Sequence, residues 1–179
     1  MSDLALTEEQ YNEVVRLSRA YYREAHRCRD AKAYLAGCVM MGAALEASLL
    51  AFVDCYLDEA LCSTIAPKKA GVTKPLVEWP LGELLAVAKE RGWLPAGLSL
   101  SEEWNRKKAQ IGDWSEVLRQ LRNLIHPARY MLDLPHKRVT KRYLETSFET
   151  FEVATDYLLN KIGESLRATF EADDEEGDA

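Results

Sequence analysis

Apolar residues along this chain recur mostly at every third or fourth position, the period of helices that bury one face. Thr7 followed by Glu8, Glu9 and Gln10 has the form of a capping box, in which side chain and backbone satisfy each other's free donors. It predicts a helix to about His26, with Tyr11, Val14, Val15, Ser18, Tyr21, Tyr22 and Ala25 on its buried face. The polar run 27–30 predicts a break, with Asp30 as N-cap of a second helix over about 31–61. That second helix is the most apolar. Its glycines and alanines let neighbours approach closely, so it is expected to be the central column of a bundle.

The stretch 62–80 is the longest without a period. Lys68, Lys69 and Lys74 make it basic, and it is expected to be an insertion or a lid. A short helix follows over 81–91, with Pro80 at its start and Gly92 as its stop. Residues 93–100 are expected as a turn. Ser101 caps a further segment over 101–111, which Gly112 and Asp113 punctuate; Asp113 is the expected N-cap of a helix over 114–126 that Pro127 ends, and the two segments are either two helices or one bent helix. Residues 128–141 are expected as a loop carrying Arg129, His136, Lys137 and Arg138. The last helix is expected over about 140–170. Leu144, Phe148, Phe151, Thr155, Leu158, Ile162 and Leu166 mark its seam, and Tyr157 and Leu159 widen the apolar surface enough for a partner to cover part of it. The pattern is all-α: one domain over 1–170, then an acidic tail over 171–179 with no apolar anchor, expected to be disordered.

Two places break the apolar pattern informatively. On the second helix, one stripe runs Val39, Ala43, Glu46, Leu50, Val53, so a carboxylate points where methyl groups should be. A carboxylate buried alone is costly, so Glu46 needs a partner or a proton. Arg119, Arg122 and His126 are the cations expected near it, and pairing with one of the two arginines is the prediction. Such a pair either fixes helix register or takes part in chemistry. The second place is the helix over 114–126. Trp114, Leu118, Leu121 and Ile125 form its apolar stripe, while Arg119, Arg122, Asn123 and His126 recur on another side. His126 sits at the helix end, where a pocket between elements is easily built.

This arrangement resembles the HEPN superfamily (higher eukaryote and prokaryote nucleotide-binding domains), which is marked by an Arg followed some four to six residues later by a His near a helix end. Arg119 and His126, with six residues between, fit that spacing. Arg122 and His126 have three between, although Arg122 with Asn123 copies the Arg-Asn pair of many members. The phrase LRNLIHPARY is also similar to poorly characterised HEPN-like families found near bacterial defence genes. The resemblance implies an up-and-down bundle of four to six helices and an acidic residue facing the Arg–His helix. It also implies either a metal-independent endoribonuclease, as a toxin or phage-defence effector, or a catalytically silent module that binds a partner protein or nucleotide. For the nuclease it implies a homodimer whose two Arg–His helices share a cleft.

Charge qualifies this reading. The 179-residue chain carries net charge −6, which argues against a surface that binds nucleic acid everywhere. Its basic residues are nevertheless concentrated. Over 104–142 there are ten Lys or Arg against three Asp or Glu, and that block contains the Arg–His helix. Local attraction of phosphate is therefore compatible with the negative total.

The chemistry suits RNA, which brings its own nucleophile in the ribose 2′-OH. A His titrating near neutrality would move the proton, and an Arg would grip phosphate oxygens in bidentate fashion. His126 is the expected proton-transfer group, and Arg122 or Arg119 the phosphate holder. Asn123, Arg129 and Glu46 are the expected binding or supporting residues. No cofactor or metal is expected: Cys28, Cys38, Cys55 and Cys62 form no CxxC pair, and the three histidines are widely spaced. Reduced thiols, the lack of a basic, apolar leader, and Glu46 interrupting the best apolar run all point to a cytoplasmic protein outside the membrane. The expected partners are RNA, a second copy, and an antitoxin or other protein.

Overall fold

The computed structural model describes residues 3–94 and 139–177, with side chains in the last helix described to Ser165 and at Arg167. The predicted Arg119, Arg122, Asn123, His126 and Arg129 lie outside the described residues, as do the expected segments over 101–111 and 114–126. Within the described residues the fold is all-α: α1 (Glu8–Asp30), α2 (Tyr34–Cys55), α3 (Leu57–Leu61), α4 (Leu81–Glu90) and α5 (Lys141–Gly177). A two-stranded hairpin, β1 (Lys68–Lys69) with β2 (Val72–Thr73), and a 3₁₀ turn (Leu76–Glu78) lie between α3 and α4.

The capping box is present. The Gln10 amide donates to the Thr7 hydroxyl at 3.2 Å, and the Thr7 amide donates to the Gln10 side chain at 2.9 Å. α1 then runs four residues past its expected end. The polar run is kept helical by local pairs: Arg27 bonds Glu24 at 2.9 Å and Arg29 bonds His26 at 2.9 Å. Asp30 is thus the last residue of α1, not a cap for α2. The chain turns at 31–33, where Lys32 has φ +58°, a left-handed conformation unusual for a side-chain-bearing residue.

α2 is buried nearly all round, as a central column must be. It packs against α1, α4 and α5. Cross-contacts give the directions. Tyr11 meets Cys55, Ser18 meets Ser48, and Cys28 lies beside Gly37, so α1 and α2 run antiparallel. Gly37 meets Leu144, Cys38 meets Ser147 and Tyr56 meets Lys161, so α2 and α5 run parallel. Gly37 suits this closeness: a Cβ there would stand 2.7 Å from a Leu144 methyl, so the Leu144 side chain would have to shift. By length and composition α2 could cross a membrane despite Glu46, yet 61% of its most apolar window is buried inside the protein, as in a core helix. The expected second helix is divided at Tyr56, and α3 takes its end.

α5 begins where expected and extends to Gly177, past the boundary that periodicity suggested. Leu144, Phe148, Phe151 and Leu158 of the expected seam are buried. Thr146, Ser147 and Thr150 are buried as well. Each hydroxyl donates to the carbonyl one turn back, at 2.9, 2.8 and 2.8 Å, so these polar groups enter the core already satisfied.

The stretch 62–80 is no lid. Ala70 and Gly71 both have positive φ, the conformation that closes a tight two-residue hairpin. Leu76 and Trp79 are buried, the Leu76 amide donates to the Leu4 carbonyl at 2.9 Å, and the Trp79 indole donates to the Lys74 carbonyl at 3.0 Å. Lys74, one of the three lysines, is used internally in an ion pair of 2.6 Å with Glu83. The stretch is a cover strapped over the α2 and α4 core.

Candidate functional site

Glu46 is the one predicted site residue among the described residues. It is half-buried on α2, and its Oε1 accepts the Leu81 backbone N–H at 2.9 Å. Leu81 is the first residue of α4, and Pro80 before it supplies no side-chain cap. The carboxylate therefore stands in for that cap across a tertiary contact, at the helix end where negative charge is favoured. This explains in part how a carboxylate is tolerated on an apolar stripe. The expected pairing with Arg119 or Arg122 lies outside the described residues.

Replacing Glu46 by Ala is expected to destabilise the chain by about 1–3 kcal/mol, because a donor at a buried helix start loses its acceptor. Gln keeps an acceptor oxygen and should recover most of that loss. Urea unfolding of both variants tests this. Equal loss in Gln and Ala would show that the charge, not the acceptor, matters.

A His–Arg pair that the periodicity did not single out lies on α1. His26 sits against Tyr22 and Phe148, with ring centroids 4.7 and 4.5 Å away. Arg29 approaches its Nδ1 at 2.9 Å and lies 5.1 Å from the Phe148 centroid. A guanidinium only donates, so Nδ1 accepts and the ring proton is on Nε2. Tyr22 donates to Glu152 at 3.0 Å; burial first, then this bond, raises its phenol above the ordinary range. The cluster ties α1 to α5.

The four cysteines are free thiols. Burial pushes the Cys38 thiol up to about 11, so it stays protonated and inert, whereas Cys55 and Cys62 are exposed. Among the described residues no three His, Cys, Asp or Glu side chains gather as a metal site would require.

Two of the concavities that border α5 differ sharply in character. One, of about 210 Å³, is an apolar groove between α1, α2 and α5, floored by Ala47, Ala51 and Phe52 and bordered by Leu159. The other, of about 380 Å³, is a polar cleft where Gly92 and Trp93, just past α4, face Tyr157, Asn160, Lys161, Glu164 and Arg167 of α5. Those five α5 residues share one helix face. That was legible as a pattern, but nothing in sequence showed that a buried tryptophan would meet it. No protein-family model, curated protein or solved structure matches the chain.

Proposed function

We propose that this chain is a HEPN-like, metal-independent endoribonuclease of the cytoplasm, acting as a toxin or phage-defence effector. In this reading His126 transfers the proton, Arg119 or Arg122 holds the scissile phosphate, and Asn123 and Arg129 assist binding. The observation that carries it is the stripe Arg119, Arg122, Asn123, His126 at helical spacing, inside the chain's basic block and opposite an apolar stripe. An all-α scaffold with a half-buried acid, Glu46, on its central helix is compatible with it. One copy of the stripe makes a thin active site, so a homodimer that brings two stripes to one cleft belongs to the proposal.

The test is incubation of the purified chain with mixed RNA in EDTA, alongside its oligomeric state by light scattering. Cleavage by a dimer is the expected result. Intact RNA after prolonged incubation of a well-folded dimer would remove the nuclease reading.

One observation favours a second reading, a silent module that binds a partner protein or nucleotide. Glu46 already has structural work at the start of α4. Its place on the apolar stripe of α2 therefore has a structural use that does not depend on catalysis.

A further inference from the structure

The polar cleft beside Trp93 poses a problem of its own. Trp93 is 3% exposed, and its indole Nε1–H is buried with no acceptor among the described residues. A buried donor without a partner is costly, and native proteins rarely keep one without water, ion or ligand to answer it. Trp93 is held where it is by packing. Gly92, at φ +72°, turns the chain back after α4, and the Trp93 amide donates to the Ala88 carbonyl at 2.9 Å. The indole then meets Phe52 edge-on at 5.3 Å and lies 6.0 Å from Tyr56. Tyr56 in turn donates its hydroxyl to the Lys161 carbonyl at 3.3 Å, fixing α5 against this aromatic wall.

Opposite the wall, α5 presents Tyr157, Asn160, Lys161, Glu164 and Arg167. Lys161 and Arg167 take part in no ion pair among the described residues, although the chain is acidic overall. Their two positive charges outnumber the one carboxylate, Glu164. Lys161 is steadied by lying 5.9 Å from the Tyr56 ring centroid, a cation–π distance. At about 380 Å³ the cleft falls within the size range of small-molecule sites and exceeds what a bare ion would fill.

We propose that this cleft binds a small molecule bearing an oxyanion, a phosphate or a carboxylate. Its charge lies between Lys161 and Arg167, and one of its acceptor oxygens takes the Trp93 indole N–H. The remaining volume, walled by Trp93 and Tyr157, accommodates a flat apolar part. None of the residues named at this site is one of those proposed to act on RNA, and the proposal stands whether or not the chain cleaves RNA.

The full chain labelled with ¹⁵N at its indole nitrogens tests it, since Trp93→Phe identifies the Trp93 signal among those of the four tryptophans. Phenyl phosphate, inorganic phosphate and benzoate are titrated separately at constant ionic strength. The expected result is a saturable downfield shift of the Trp93 N–H with phenyl phosphate or benzoate. The stronger of these two identifies the anion, and inorganic phosphate binds more weakly than phenyl phosphate. Lys161→Gln and Arg167→Gln each weaken binding about tenfold, the worth of one charge-assisted hydrogen bond; Arg167 is exposed and Lys161 half-buried, so helical circular dichroism of each variant checks that the fold is kept. A Trp93 signal unmoved by all three probes would overturn the proposal. So would a shift that persists unchanged in the Lys161→Gln, Arg167→Gln double variant.

Discussion

A chain carrying His126→Ala is expected to cleave RNA roughly 10²–10⁴-fold more slowly than the parent, in EDTA, with unchanged helical circular dichroism and oligomeric state. The size follows from the proposed role. The 2′-OH attacks phosphorus only as its proton leaves, and an imidazole titrating near neutrality accepts it without a large energetic gap. Arginine does the complementary task, meeting charge that builds on the phosphate oxygens with two parallel donors. Lysine keeps the charge but not the fork, so Arg119→Lys and Arg122→Lys separate the two candidates: the one that grips phosphate loses far more activity. If His126 merely ends a helix, alanine lowers the melting temperature slightly through the lost dipole interaction and leaves cleavage at the parental rate. That result would dismiss the assignment.

Local signals were legible and tertiary ones were not. The start of α1 could be read because a capping box is complete within four residues. The limits of α4 could be read because Pro80 and Gly92 act through their own backbone angles. The end of α1 was misplaced because His26 and Arg29, polar by type, spend their polarity on each other and on Phe148, a residue more than a hundred positions away. The true break at Lys32 has no glycine or proline to announce it. The hairpin over 68–73 was hidden because it has two residues per strand, too short for an alternating pattern, and lysines occupy one of them. The need of Glu46 for a partner was visible in the α2 stripe. That one partner would be the amide of Leu81, at the start of another helix, could not be seen without the packing of α4 on α2.

Trp79 shows how far the cover over 62–80 is part of the core, and Trp79→Ala is expected to destabilise the chain by about 3–5 kcal/mol. The ring is 2% exposed and belongs to the same buried cluster as Leu45, Leu76, Leu81 and Leu84. Alanine removes its transfer energy and leaves a cavity bounded by elements that cannot all close in. The Leu76 amide is tied to Leu4, and the Leu81 amide is tied to Glu46. Trp79→Phe separates packing from hydrogen bonding. It keeps most of the apolar surface but removes the indole N–H that meets the Lys74 carbonyl at 3.0 Å, a loss of about 1 kcal/mol. Urea unfolding of both variants measures the two contributions. An alanine variant within about 1 kcal/mol of the parent would mean that the cover contributes little to the core, and that the hairpin is free to open after all. A large loss would instead place the start of α4, and with it the acceptor role of Glu46, under the control of a segment that looks in sequence like an insertion.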